Sequence, residues 1–172
     1  AARAINWMSS LPKAYGLVCF MATWVSTQTL ISGEYEKRER LRVFGSGGGE
    51  IAARGMPDDG NGVYARDLTY VDWFVVNTCK RIRENNLEHA VFLLPAGIAT
   101  GLWFPYTTSA VFFGYTVGRS MYTYGYLREE ADMHPMRMAG SFTLNLASVS
   151  MMLLLPCAAM RMYGYRIVKL LR

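Results

Sequence analysis

The chain has 172 residues, 52% of them hydrophobic and only 18% charged, with a net charge of +5 and a mean hydropathy of +0.11. A soluble domain of this length needs less apolar surface, so the surplus must face something other than water. Lysine and arginine are scattered among acids with no single basic, aromatic-bearing face, which argues against nucleic acid and favours lipid headgroups. The three cysteines, Cys19, Cys79 and Cys157, lie far apart and form neither a disulfide framework nor a metal-binding spacing.

The first eleven residues carry Arg3 and no acid, which fits either the stub of a cleaved organellar presequence or the loss of an initiator methionine. Four apolar stretches follow, each near the roughly 20 residues that cross a bilayer. They cover about 15–32, 72–104, 107–127 and 136–160. In a bilayer no water satisfies open backbone groups, so all four are expected to be helices. The expected fold is therefore all-α, a polytopic four-helix membrane bundle forming one domain over 1–172.

The first stretch runs into a charged cluster, Glu34 to Arg42, read as a solvated helix end with pairs one turn apart. Residues 43–66 form a flexible, glycine-rich loop by composition. Its run Gly45 to Gly49 lacks the lysine and hydroxyl of a phosphate loop. The second stretch is polar first and apolar after, with Pro95 in its apolar half. A very short turn at Phe104, Pro105 and Tyr106 makes the second and third helices antiparallel neighbours. Trp7, Trp73 and Trp103 sit near segment ends as interfacial aromatics do, and Trp24 fits that pattern least. The tail 161–172 alternates basic and apolar residues, as an interfacial segment does. Basic residues are too evenly spread for the positive-inside rule to orient the chain.

Two polar stripes carry the chemistry. Asn77, Arg81, Asn85 and Glu88 recur at spacings of four, four and three, which puts them on one helical face. Each charge at membrane depth costs roughly 2.5–3.5 kcal/mol, so the stripe should face a bundle interior or a wet cavity. In the third stretch, Arg119, Tyr122 and Tyr126 share a face at i, i+3 and i+7 and can meet the first stripe across a packed pair. The same residues also fit a polar seam that only glues helices, with phenols packed as ordinary aromatics. His134, with no second histidine or acid cluster beside it, reads as a solvated loop residue.

Together the motifs Arg81-x-x-x-Asn85-x-x-Glu88 and Gly118-Arg119-x-x-Tyr122-x-Tyr124-Gly125-Tyr126 resemble the MAPEG family, the membrane-associated proteins of eicosanoid and glutathione metabolism. The likeness is closest to the third type of microsomal glutathione transferase, whose beginning is similar to Lys13-Ala-Tyr15-Gly16-Leu17-Val18 and which has an acidic turn where this chain has Pro57 to Gly62. The resemblance implies a homotrimer in the endoplasmic reticulum or mitochondrial membrane, with glutathione as co-substrate, no metal, and sites between neighbouring subunits. It assigns Arg81, Asn85, Glu88, Tyr122 and Tyr126 to glutathione contacts, and Arg119 to a structural or binding arginine of the same site. The residue types suit the ligand, because glutathione brings two carboxylates, an ammonium and two amides. Its thiol must become a thiolate to attack an electrophile, and a nearby guanidinium favours that anion.

The chain departs from the family pattern where the activating arginine is expected, for Met133 and His134 stand there. Arg137 lies three residues further, after Pro135, in a P-x-R arrangement similar to that of the first microsomal type. The implied function is a glutathione-dependent membrane transferase or peroxidase acting on hydrophobic electrophiles or lipid hydroperoxides, with Arg137 and Tyr126 as catalytic candidates. The alternative is a non-catalytic accessory subunit of a larger membrane assembly, such as a mitochondrial respiratory complex, which the displaced arginine and the long 43–66 loop favour.

Overall fold

The computed structural model describes residues 11–45, 58–128 and 134–162. Expectations for the leading residues 1–10, for Met133 and for the tail beyond Met162 fall outside these. Four helices make up the fold: α1 (Tyr15–Gly45), α2 (Tyr70–Gly101), α3 (Pro105–Tyr126) and α4 (Pro135–Met162), with a short 3-10 turn at Val63–Ala65. The described residues contain no strand, as the sequence led one to expect.

Local chemistry sets the helix starts. Thr69 is extended, accepts from the Asp72 N–H at 3.2 Å and donates to the Asp72 carboxylate at 2.8 Å, a reciprocal cap that opens α2. Pro105 takes the first turn of α3, where its missing N–H costs nothing. His134 starts α4: its ring Nδ1 accepts from the Met136 N–H at 3.3 Å and its carbonyl accepts from the Arg137 N–H at 3.0 Å. The residue read as a solvated histidine thus caps a helix.

α1 packs on α2 and α3, and α4 packs on α3 and α2. The shared core is built from Val18, Val25, Leu93, Phe112, Leu144 and Met151 with their neighbours. Large apolar side chains also cover the outside, among them Leu30, Val91, Phe113, Phe142 and Leu153. An apolar coat of that extent suits lipid rather than water. By length and composition α4 is the described helix that passes as a membrane span, with a mean hydropathy of 1.7 over its most apolar window. α2 is diluted by charged residues, and the apolar part of α1 by hydroxyls that are satisfied internally. Thr23, Ser26, Thr27 and Thr29 each donate to the carbonyl four residues back, so polar residues sit in an apolar helix without open donors.

Beyond its apolar part α1 continues through the charged cluster as the expected solvated helix end, with Glu34, Lys37, Arg38 and Arg42 exposed and pairs one turn apart at Lys37–Glu34 and Arg42–Glu39, but Glu36 departs from that reading. Glu36 is only 3% exposed and pairs with Arg83 of α2 and, at 3.7 Å, with Arg40. Arg40 also donates to the Asp58 carbonyl at 2.7 Å. Of the loop expected over 43–66, residues 46–57 are outside the described residues, while 58–66 pack against both helices. Val43, Phe44, Ala65 and Val76 form a small second core there.

The Asp58 carboxylate organises this turn, accepting from the N–H groups of Gly60 (2.9 Å), Gly62 (2.8 Å) and Ala65 (3.0 Å). Gly60 has φ +104°, a conformation that favours glycine. Its carbonyl accepts from Asn77 Nδ2 at 3.1 Å, and Lys80 pairs with Asp59 at 2.6 Å. Burial pushes the Asp58 carboxyl up, but the N–H donors of Gly62, Gly60, Ala65 and Tyr64 outweigh it and hold the group below its ordinary value. A carboxyl lowered on folding adds stability that is complete above the ordinary value near ~4 and is lost as pH falls through the lower folded-state value. Thermal unfolding from neutral to acid pH should show that loss. Asp58→Ala, which leaves buried N–H groups of Gly60 and Ala65 open, should cost about 3 kcal/mol at neutral pH and remove this component of the acid sensitivity.

Candidate functional site

The two polar stripes meet. Asn85 Nδ2 of α2 donates to the Tyr122 hydroxyl of α3 at 3.3 Å. The Tyr122 and Tyr126 rings lie 5.1 Å apart, and the Arg137 guanidinium sits over the Tyr126 ring at 4.3 Å. Asn85, Tyr122, Tyr126 and Arg137 therefore form a continuous polar line across α2, α3 and α4.

Small residues explain how α4 comes so close. A Cβ added to Gly125 would lie 2.5 Å from the Arg137 nitrogen, and one added to Gly140 would lie 2.4 Å from the Tyr122 nitrogen. A Cβ on Gly118 would meet Thr143 at 2.9 Å. Backbone touches backbone along this seam, the close approach that glycine permits between membrane helices. It is what lays Arg137 against Tyr126.

Arg119 occupies a different place. It is 2% exposed, and its Nη2 donates to the Tyr115 hydroxyl and to the main-chain carbonyl of Asn85, both at 3.1 Å. Its guanidinium also lies 5.3 Å from the Tyr115 ring and 5.5 Å from the Tyr122 ring. No carboxylate among the described residues forms an ion pair with it. Arg119 ties α3 to α2 behind the polar line.

Arg81 and Glu88 share the Asn85 face of α2 but are exposed, and their side chains make no hydrogen bond or ion pair with the described residues. His89, next along, meets Ser148 of α4 at 3.3 Å through Nδ1 and lies 6.1 Å from the Tyr115 ring. Sequence reasoning passed over Tyr115 and the glycine seam. The recurrence of Gly118 and Gly125 at a spacing of seven on the tyrosine helix was the signal available for the seam.

Four packed helices with an apolar coat and a polar line inside define an integral membrane bundle. The chain belongs to the MAPEG family, whose sequence profile matches residues 16–157. No curated protein and no solved structure matches it. Proteins of this family are four-span membrane bundles, often trimeric, that commonly use glutathione.

Proposed function

We propose that this protein is a glutathione-dependent membrane transferase or peroxidase of the third microsomal type, acting as a homotrimer on hydrophobic electrophiles or lipid hydroperoxides. The observation that carries the reading is the polar line Asn85, Tyr122, Tyr126 and Arg137, ending beside the open side chains of Arg81 and Glu88. These two opposite charges stay open on one flank of α2, available to a zwitterionic ligand or to a neighbouring subunit. A glutathione bound there would offer carboxylates to Arg81 and an ammonium to Glu88, with Asn85 and Tyr122 on its amides. Arg119 positions this set from behind, through the Asn85 carbonyl.

Arg137 and Tyr126 supply the chemistry. The thiol passes its proton to solvent, the thiolate is held by the Arg137 guanidinium and the Tyr126 hydroxyl, and sulfur attacks the electrophilic carbon to form a thioether. The attack either expels a leaving group with its bonding pair or opens an activated double bond whose carbanion then takes a proton from solvent. With a hydroperoxide, sulfur attacks the terminal peroxide oxygen and the O–O bond breaks. The alcohol leaves and the oxidised sulfur condenses with a second glutathione to give the disulfide and water.

Glutathione titration of the purified protein tests the binding half of this reading. Arg81→Ala and Glu88→Gln should each weaken binding about tenfold, the loss of one charge-assisted bond, with helix content unchanged because neither side chain has a hydrogen-bond or ion-pair partner among the described residues. Wild-type affinity in both variants would exclude them from the site. The accessory-subunit reading draws on the Tyr122 hydroxyl, already engaged by Asn85. It predicts no glutathione binding and stoichiometric purification with unrelated membrane subunits.

A further inference from the structure

A cavity of about 480 Å³ opens on the other flank of the α2–α3 pair, between α1 and α3. None of Asn85, Tyr122, Tyr126 or Arg137 lines it. Gln28 of α1 fixes one wall to α3, its Nε2 donating to the Thr116 carbonyl at 3.1 Å and to Ser120 Oγ at 2.9 Å. The rim is apolar and aromatic, for Trp24, Ile31, Tyr124 and Leu127 are all exposed there. At the floor lie Asn86 and Arg119, 3% and 2% exposed.

Charge is what this floor leaves unbalanced. The Arg119 guanidinium is always cationic and only donates. Both of its hydrogen bonds leave from Nη2, to the Tyr115 hydroxyl and to the Asn85 carbonyl, and both partners are neutral. Its Nε is shut away in the protein, whereas Nη1 is more open and keeps its hydrogens without an acceptor. Asn86 repeats the pattern, with Oδ1 shut away and Nδ2 unbonded and more open. Charges buried this completely are almost always paired, above all within a membrane span. Arg119 lies about two turns inside the end of α3 and has no counter-charge among the described residues.

Both open ends donate and one of them carries charge, which describes an oxyanion. An ammonium cannot accept and is repelled by Arg119. A neutral hydroxyl or amide accepts but leaves the cation uncompensated. The way in runs over an apolar rim, and Trp24 and Ile31 belong to the apolar part of α1, so the anion has to arrive attached to hydrocarbon rather than as a free ion. A water fills only about 30 Å³, while the volume here is within the roughly 300–1,000 Å³ of small-molecule sites. That leaves room for a head and the start of one chain.

We propose that this cavity binds a single-chain acidic lipid, with its oxyanion head on Arg119 Nη1 and Asn86 Nδ2 and its chain leaving over Trp24 and Ile31 into the hydrocarbon. A carboxylate and a phosphate ester share this chemistry, since each presents two oxygens to the two donors. It is a binding site, apart from Arg137 and Tyr126. Arg119 serves it through Nη1 and holds the Asn85 carbonyl through Nη2, so lipid binding stands or falls separately from glutathione binding at Arg81 and Glu88.

The test uses a fatty acid with a photoreactive group in its chain, added to the full chain in phosphatidylcholine nanodiscs, with labelled peptides mapped by mass spectrometry. Saturable labelling of the segment from Trp24 to Ile31 is expected, displaced by oleate or by oleoyl lysophosphatidate and not by monooleoylglycerol or inorganic phosphate. Whichever acid displaces at the lower concentration identifies the head. Asn86→Leu, which removes an open donor, and Thr123→Trp, which fills the cavity from α3, should each reduce labelling about tenfold. Arg119→Met should abolish the preference for acid, so that monooleoylglycerol displaces as well as oleate. Variants on two helices keep the test decisive if one does not fold. Four results overturn the proposal: labelling that does not saturate, displacement from the wild type by monooleoylglycerol or inorganic phosphate as good as by the acids, wild-type labelling in folded Asn86→Leu and Thr123→Trp, or an acid preference that survives Arg119→Met. A cavity that holds only water gives the first of them.

Discussion

Arg137→Ala is expected to lower kcat for glutathione conjugation about 100-fold while glutathione affinity changes only about threefold. The ordinary thiol value near ~8.5 leaves only a few per cent thiolate at neutral pH. A guanidinium about 4 Å from a sulfur anion, at the effective dielectric of a partly buried site, is worth up to about 4 kcal/mol, enough to make thiolate the main form. In the proposed mechanism that guanidinium is Arg137, which packs on the Tyr126 ring at 4.3 Å. Because a stabilised thiolate persists to lower pH, the acid limb of the rate profile should move up by about two units in Arg137→Ala, the shift that about 3 kcal/mol of lost thiolate stabilisation represents. Arg137→Lys keeps the charge without the planar fork and should recover part of the rate. Steady-state rates with a chromogenic electrophile, set beside a binding titration, separate the two effects. An unchanged rate would remove Arg137 from the mechanism.

The largest stability effect is expected at the glycine seam. In Gly140→Leu the new side chain starts 2.4 Å from the Tyr122 nitrogen and 2.7 Å from the Gly118 carbonyl oxygen, so backbone, not a flexible side chain, must move. Overpacking of this kind should cost about 3 kcal/mol. It should also separate Arg137 from Tyr126, so the surviving folded fraction should lose turnover as well. Gly114 provides the contrast. Nothing lies within 4 Å of a Cβ there, so Gly114→Ala should raise stability by about 0.5–1 kcal/mol through helix propensity alone. Thermal unfolding of both variants in one detergent checks the pair. Equal Tm values would mean that α3 and α4 are not in backbone contact.

The helical architecture was legible because long apolar stretches in lipid have few alternatives to helix. Of the polar line, Asn85, Tyr122 and Tyr126 were legible because they fall in stripes that repeat at helical spacing, whereas Arg137 came only from the P-x-R resemblance. Spacing identifies a face but not what lies against it. Arg119 shares its nominal face with two tyrosines yet turns to Tyr115 and the Asn85 carbonyl. Glu36 sits among charges that looked solvated, and only the packing of α2 against α1 makes it a buried partner of Arg83. The seam glycines and Gln28 were equally hidden, since their importance lies in the distance to another helix. His134 looked solitary because a ring acting as a helix cap leaves no pattern in sequence.

Ultraviolet difference absorbance on adding glutathione to the purified, detergent-solubilised protein measures whether sulfur is ionised where guanidinium, amide and phenol converge. A saturable thiolate band at neutral pH in the wild type, much reduced in Arg137→Ala, is the predicted result. Saturable glutathione binding without that band, or a band of equal size in Arg137→Ala, would contradict it.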